Sequence, residues 1–213
     1  MKSVKIVFFV LLSAISIYPQ FQATLVKLGF YNPQVTNGGF IIGYESSKFI
    51  DEHFDVGWSI DWYNKNYVDQ KLVAEFNENF GGLGTDNELR AKTNLHDFPI
   101  LFNMNANFPL DNKLTAYVKG SIGFETLIIF YRNFEKTSED ELKAAMDFSY
   151  RVGAGVKHEL GRRSEVLAEV AYHSSMPSWD YEVTDAASGK KKTFIRSFDM
   201  SGFLFRVGVR FYN

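Results

Sequence analysis

Residues 201–213 read SGFLFRVGVRFYN, and the alternation in this stretch decides the fold. One set of alternate residues is apolar and mostly aromatic, running from Phe203 to Phe211. The other set carries glycines and two arginines, Arg206 and Arg210. A period of two residues predicts a β-strand whose two faces differ in polarity. The two faces need different surroundings, so the rest of the sequence has to indicate which of them meets which solvent.

The same alternation recurs seven more times along the chain. We expect the further strands at about 24–31, 39–47, 53–63, 97–107, 114–131, 147–159 and 164–174. A tilted strand of about 9–11 residues is long enough to cross a bilayer. Eight such strands predict an all-β protein, an up-and-down antiparallel barrel.

The predicted connections alternate in length. Those after the second, fourth and sixth strands are brief and contain turn residues, whereas three others are long, at about 64–96, 132–146 and 175–196. Outer-membrane barrels combine short periplasmic turns with long external loops in this way. Ser138, followed three residues later by Glu141, has capping-box spacing and predicts a short helix over Ser138–Met146.

Alternation alone also fits a soluble, lipid-binding barrel with an apolar interior. Besides the long loops at one end only, two features favour the membrane orientation, in which the apolar face meets lipid. Glycines on the polar face suit a narrow lumen, and they are Gly29, Gly43, Gly57, Gly123, Gly153, Gly155 and Gly208. Aromatic residues near strand ends suit the two bilayer interfaces. Those toward the loops are Trp58, Trp62, Phe130, Tyr131 and Trp179, and those toward the turns are Phe54, Phe108 and Phe211.

The first residues have the pattern of a secretory signal peptide. Lys2 and Lys5 accompany the apolar run IVFFVLLSAISI at 6–17, which is shorter than the roughly 20 residues of a spanning helix. We expect residues 1–23 to be removed after Ala23, leaving 24–213 as the barrel domain; an N-terminal membrane anchor is the alternative. The chain contains no cysteine, which excludes disulfides and thiolate chemistry.

In the membrane orientation the polar face lines the lumen with charges of both signs, which predicts a network of ion pairs. We expect its members to be Lys27, Glu45, Asp55, Asp61, Lys119, Glu125, Arg151, Lys157, Glu159, Glu165, Glu169, Arg206 and Arg210. The seventh strand lies between the sixth and the eighth, so its glutamates should contact bases on both neighbours. For Glu165 and Glu169 these expected partners are Arg151, Lys157, Arg206 and Arg210. The alternative is a selective pore lining, which normally carries an excess of one sign.

One hairpin of the sequence resembles the OmpA/OmpX-like family of outer-membrane β-barrel domains. The stretch FPILFNMNANFPLDNKLTAYVKGSIGFE, residues 98–125, carries the matching positions Pro99, Phe108, Pro109, Tyr117, Gly120 and Gly123. The resemblance extends over 24–213 and implies an eight-stranded barrel in a bacterial outer membrane. Members of this family serve as adhesins, complement-evasion factors, membrane anchors and narrow pores.

Signals for catalysis are weak. His173 and Ser175 have the spacing of the His-x-Ser pair of the lipid A deacylase family, but Met176 stands where that family has Asn. His173 shares the inward face with the strand's glutamates, so we interpret it as a polar histidine at the barrel rim. The other histidines, His53, His96 and His158, are scattered, and we expect no metal site and no cofactor.

These observations predict a bacterial outer-membrane protein that is not an enzyme and whose long external loops have a binding or structural role. The alternatives are a narrow porin-like channel for small solutes, a lipid A-modifying enzyme and a soluble lipid-binding barrel. Expected partners are outer-membrane lipids and lipopolysaccharide, the barrel-assembly machinery and an extracellular surface ligand. A formal net charge of −2 argues against nucleic acid as a partner.

Overall fold

The computed structural model describes residues 23–68, 92–131, 141–184 and 191–212. The predicted signal peptide falls almost entirely outside the described residues and stays a prediction. Ala23, expected to be its last residue, is the first residue of β1. Among the described residues, no helix is long and apolar enough to cross a membrane.

Ten antiparallel strands make up the described fold, and eight of them close into a barrel. The strands are β1 (Ala23–Pro33), β2 (Gly39–Phe49), β3 (Phe54–Val68), β4 (Lys92–Pro109), β5 (Leu114–Tyr131), β6 (Glu141–Gly161), β7 (Ser164–Ser174), β8 (Ser178–Thr184), β9 (Lys191–Ser197) and β10 (Gly202–Tyr212). The wall runs from β1 through β7 to β10, which pairs back with β1, while β8 and β9 form a separate two-stranded sheet. The predicted eight-stranded barrel is therefore confirmed, and its last strand is β10.

The strands are tilted in the barrel wall. Starting at Ala23, the pairing register leads through Ser47, Gly57, Asn103, Ser121, Arg151, His173 and Gly202. It returns to β1 at Pro33, ten residues beyond the start. For eight strands this stagger corresponds to a tilt of about 40°. Residues that pair at constant register therefore lie progressively further along the barrel axis, in the direction in which β1 runs, on passing from β1 toward β6.

The connections at one end of the barrel are short, as predicted. They comprise 50–53, 110–113 and 162–163, and we call this the turn end. Asp51 closes the first of them, because its carboxylate accepts hydrogen bonds from the backbone N–H groups of His53 and Phe54 at 2.7 and 2.8 Å. The opposite end, which we call the loop end, carries the β8–β9 hairpin.

The faces of β10 settle the orientation of the wall. Phe203, Phe205 and Val207 are 55–62% exposed on the outside, whereas Arg206 and Arg210 are 2% exposed in the interior. Aromatic girdle residues are likewise on the outer surface, including Trp62 toward the loop end and Phe54, Phe108 and Phe211 toward the turn end. The side chains of Tyr131 and Trp179, assigned to the same girdles, lie outside the described part.

The strands around β5 are longer than the sequence analysis predicted. β3 continues to Val68 and β4 starts at Lys92, so the connection expected at 64–96 is shorter at both ends. The helix predicted over Ser138–Met146 is wrong for its described part, because Glu141–Met146 pairs with β5. Ladder hydrogen bonds along β5 outweigh the weak local preference of one capping box. The predicted loop 175–196 contains the β8–β9 hairpin.

Candidate functional site: the barrel interior

The polar face of the wall fills the interior with buried charges. The twelve buried members are Lys27, Glu45, Asp55, Asp61, Lys119, Glu125, Arg151, Lys157, Glu165, Glu169, Arg206 and Arg210, none more than 7% exposed. Glu159, also expected there, is exposed: it lies at the turn end of β6, where the regular pairing with β7 stops before Gly161. A buried charge is costly without a partner, so the contacts among these side chains decide what the interior can do.

Two glutamates hold the centre of the lumen together. Glu45 binds the amine of Lys27 at 2.6 Å and also that of Lys119. Glu169 binds the guanidinium of Arg206, and its second oxygen lies 3.6 Å from Lys27 and 3.9 Å from Lys119. The two acids thus share the same two lysines, and one cluster joins strands from opposite sides of the wall.

Asp61 connects this central cluster to a second arginine. Its carboxylate accepts hydrogen bonds from Arg206 Nη1 at 3.0 and 3.1 Å and from Arg151 Nη1 at 2.5 Å. All three side chains are buried. Charge-assisted hydrogen bonds of this kind are the stronger ones in proteins, and here they cross the lumen from β3 to β6 and β10.

A separate cluster surrounds Asp55 near the turn end. Its oxygens accept hydrogen bonds from Asn105 at 2.5 Å and from Asn107 at 3.0 Å, with Lys157 at 3.5 Å and Arg210 at 3.7 Å. Lys157 also donates to the side-chain oxygen of Asn107 at 2.5 Å. The two asparagines were not among the expected members, although they stand on the inward face of the fourth predicted strand.

The predicted partners of the strand-seven glutamates are only half right. Arg206 and Arg210 lie opposite Glu169 and Glu165 in the register of β10 and β7. By contrast, the two bases of β6 bind acids of β3 across the lumen: Arg151 binds Asp61 and Lys157 binds Asp55. The lumen is thus narrow enough for a long basic side chain to reach an acid on the opposite wall. The order of the strands in the sequence therefore does not determine which acidic and basic side chains form ion pairs.

Glycine on the inward face makes room for these long side chains. A Cβ atom at Gly43 would lie 2.0 Å from Asp61 Oδ1, and one at Gly29 would lie 2.7 Å from Arg206 Cγ. Both distances are far shorter than a van der Waals contact, so glycine is the residue that fits at these two positions.

His173 lies inside the barrel and not at its rim. It is fully buried, and its Nε2 atom lies 2.5 Å from Glu125 Oε2, while its ring packs edge-on against Tyr31. Asp97, an inward acid missing from the expected set, is buried beside Glu125. Ser175 is also buried, but its hydroxyl has no hydrogen-bond partner among the described residues. The side chain that binds His173 Nε2 is thus a carboxylate, and the His-x-Ser pair is not assembled into a nucleophile and base.

Toward the loop end the interior becomes apolar. A buried cluster, which we call the external cap, consists of Tyr31, Ile41, Tyr63, Leu95, Leu127, Ile129, Ala145, Ala171, Phe198, Met200 and Leu204. Sequence reasoning missed it, although Leu95, Leu127 and Ile129 share the inward parity of Asp97 and Glu125. These inward apolar residues were visible in the sequence, but we expected a polar interior along the whole barrel.

The segment between β9 and β10 completes the external cap. Phe198 and Met200 are buried, and their backbone N–H groups donate to the carbonyls of Pro177 at 2.9 Å and Ser175 at 3.2 Å. The backbone N–H of Val35 donates to Asp199 at 3.0 Å from the other side. Residues 198–201 therefore continue the line of β10 between the segments that follow β1 and β7, and they place the side chains of Phe198 and Met200 in the cap.

Comparisons with known proteins give matches at the level of structure. No family model and no curated protein matches the chain. Neisserial surface protein A is similar with a TM-score of 0.56 at 10% identity, over 90% of this chain and 95% of that one. The outer membrane protein OprG from Pseudomonas aeruginosa gives 0.54 at 12% identity, over 91% and 98%. A major outer membrane protein from Thermus thermophilus gives 0.53 at 12% identity, over 90% and 98%.

These similarities confirm the predicted fold, a closed eight-stranded antiparallel barrel like those of the outer-membrane proteins in these structures. The predicted location in a bacterial outer membrane agrees with the proteins in these structures. Identities of 10–12% carry the fold alone, so the role of this chain has to be argued from its own side chains.

Proposed function

We propose that this chain is an outer-membrane barrel whose lumen is plugged by charges and whose external part has a binding or structural role at the cell surface. The loop end faces the exterior, as in barrels with short periplasmic turns. The observation that carries the proposal is the filled interior: paired charges below, and the external cap above.

The paired charges argue against a pore. A selective lining normally presents an excess of one sign to a water-filled bore. Here Glu45, Asp61 and Glu169 each contact two or more cationic side chains within 4 Å. An ion that entered would have to separate these pairs and then pass the apolar side chains of the cap. Eight strands leave an interior just wide enough for side chains, which fits the same interpretation.

Four strands are long enough to extend beyond the bilayer. β3 has 15 residues, β4 and β5 have 18 each, and β6 has 21. About 9–11 residues suffice to cross the hydrocarbon, so roughly half of β6 extends past it. The extended strands and the β8–β9 hairpin form the surface available to an external ligand. Lipopolysaccharide would surround the wall, and the barrel-assembly machinery would insert it.

We further propose that the chain has no lipid A-modifying activity. Glu125 binds Nε2 of His173, neither His173 Nδ1 nor the Ser175 hydroxyl has a hydrogen-bond partner among the described residues, and both side chains are buried away from the lipid-facing surface. Mass spectrometry of lipid A from cells with wild-type protein, Ser175→Ala and empty vector should give one and the same spectrum. A species that depends on Ser175 contradicts this part of the proposal.

Planar-bilayer recording tests the plugged lumen. We expect purified protein to give no steady single-channel steps, and Glu169→Gln, which preserves shape, to give none or only brief openings. Folding of both proteins is checked by the different migration of boiled and unboiled samples. Steady steps in the wild type whose conductance changes in Glu169→Gln would instead establish the narrow channel.

Excision of the β8–β9 hairpin tests the external role. The backbone N–H of Phe198 donates to Pro177, so a short glycine linker can replace 178–197 without disturbing the cap. We expect the excised protein to assemble normally, while intact cells lose autoaggregation or retention on plates coated with collagen, fibronectin or mucin. Equal behaviour of wild type, excised protein and empty vector in all of these assays contradicts a role at the cell surface.

A further inference from the structure

The outer surface above the lipid-facing belt is polar on one side of the barrel and apolar on another. One row of the register joins Asn66 on β3, Asn94 on β4, Phe130 on β5 and Leu142 on β6. Along this row the outward side chains change from amides to hydrocarbon. The row below it behaves alike, passing from Asn64 and His96 to Ile128 and Ala144.

The apolar part of these rows is also the higher part. On β3, Trp62 belongs to the aromatic girdle, and the next outward residues, Asn64 and Asn66, lie above it. At constant register a barrel with this stagger rises by about 3 Å from one strand to the next. Phe130 and Leu142 therefore lie several ångströms further from the bilayer than the asparagines of their own row. Hydrocarbon from the membrane does not reach them.

These side chains form a continuous exposed surface, which we call the upper β5–β6 patch. It consists of Ile128, Phe130, Leu142, Ala144 and Met146. Phe130, Leu142 and Met146 are 37, 56 and 67% exposed, and no member carries a charge. Exposed apolar patches of this kind on soluble surfaces mark interaction sites.

Tilting the barrel to bring the patch out of water and into lipid would cost free energy on the opposite side. β5 and β6 lie opposite β1 and β2 in the wall, so lowering the patch into lipid raises the far side. That movement draws the outward Lys48 of β2 toward hydrocarbon and lifts Phe40, which is 85% exposed, out of it. A charged residue entering the apolar band opposes the movement.

We propose that the upper β5–β6 patch packs against the same patch of a second copy of this chain, in a two-fold dimer within the membrane. Copies in one membrane share orientation and height, so a two-fold axis along the membrane normal brings this patch onto itself. None of its five positions carries a charge, so no like charges meet at these positions when the patch contacts its own copy. In the described part of the chain the patch is exposed, so a lone copy would leave it in contact with water.

The apolar surface of these two strands extends below the patch. Below the patch, the outward residues of β5 and β6 continue as lipid-facing apolar side chains, among them Phe124 and Phe148, which pack edge-on. Contact along both strands would extend the interface well beyond the five patch residues, toward the roughly 800 Å² per partner that a specific interface buries. The lower part exchanges lipid for protein, and the upper part supplies the driving force because it leaves water.

Single cysteines test the dimer directly, since the natural chain contains none. The variants are Leu142→Cys and Met146→Cys in the patch, Asn66→Cys in the same row on the polar side, and Phe40→Cys on the opposite face. Each is treated in intact cells with a short bismaleimide, and two differently tagged copies are co-expressed to identify the partner. We expect a band joining both tags from the patch variants and at least tenfold less from the two controls.

A second measurement does not depend on cross-linking. The double variant Leu142→Asn, Met146→Asn should assemble normally by gel migration, yet its mass by light scattering in mild detergent should fall from two copies to one. Three outcomes overturn the proposal: a cross-link to a different protein, free labelling of the patch cysteines by an impermeant maleimide without cross-linking, or protection of these cysteines with no second copy attached. This inference is independent of the plugged lumen, since a conducting barrel could equally dimerise.

Discussion

Replacing Arg206 by methionine should be among the most damaging single changes in the lumen. Its guanidinium donates to both oxygens of Asp61 at 3.0 and 3.1 Å and, through Nε, to Glu169 at 3.0 Å. Methionine keeps much of the packing volume but leaves two buried carboxylates short of a cation. Breaking a buried pair by removing one partner costs about 3–5 kcal/mol. We expect a loss of that size in the free energy of unfolding.

The assay is equilibrium unfolding in urea from lipid vesicles, followed by the fluorescence of Trp58 and Trp62 on the outer wall. A matched control is Arg162→Met in the exposed 162–163 turn, where we expect a change within about 0.5 kcal/mol. In the double variant Arg206→Met, Glu169→Gln, one charge of each sign is gone. The combined loss should then fall short of the sum of the single losses by about 1–3 kcal/mol.

Two results would refute this reasoning. A loss below about 1 kcal/mol for Arg206→Met would mean that water solvates the carboxylates and that the interior is wet. Strict additivity in the double variant would mean that Arg206 and Glu169 do not depend on each other, despite their contact in the structure.

Three further changes probe the lumen, the cap and the outer wall. Gly43→Ala places a methyl group against Asp61 and should cost about 1–3 kcal/mol in urea unfolding, whereas Gly120→Ala, with nothing within 4 Å of its new Cβ, should be nearly neutral. Met200→Ala removes a fully buried side chain of the cap and should lower stability by about 2–5 kcal/mol; a change below about 0.5 kcal/mol, the size of a surface effect, would show that the cap is not packed. Val207→Arg puts a charge on the lipid-facing wall and should cost about 2–4 kcal/mol in vesicles, while a neutral result would place that face in water.

Alternation along the strands was enough to predict the barrel and its inward charges. Each of these follows from one constraint, that successive side chains of a strand meet different media. The twelve buried charges could be assigned because parity alone decides on which face a residue such as Glu45 or Arg210 lies. Parity carries no information on partners across the bore, so the pairs of Asp61 with Arg151 and of Asp55 with Lys157 needed the structure.

The extensions of β3 and β4 escaped prediction because the pattern reverses where the surroundings change. Within the bilayer the outward residues of β3 are apolar, as Trp62 is. Above it Asn64 and Asn66 point outward, while Tyr63 lies inside the cap. A search for one constant parity ends at this boundary and reads the remainder as loop. The same reversal concealed the cap, whose inward leucines look misplaced in a barrel expected to be polar inside.

The pairing order also bears on how the wall forms. Among the described strands, six of the eight wall contacts join consecutive strands, and the pairing of β7 with β10 only has to step over the β8–β9 hairpin. The contact of β1 with β10 alone unites residues nearly the whole chain apart, from Ala23 with Tyr212 to Pro33 with Gly202. The hairpins can thus form one after another at low entropic cost. The large loss of chain entropy comes with one late step, the pairing of β1 with β10. A chain in which the β1–β10 contact is weakened would remain an open sheet with two unpaired edge strands. Such edges are prone to aggregate, so this is the species for which a cell most needs an insertion catalyst.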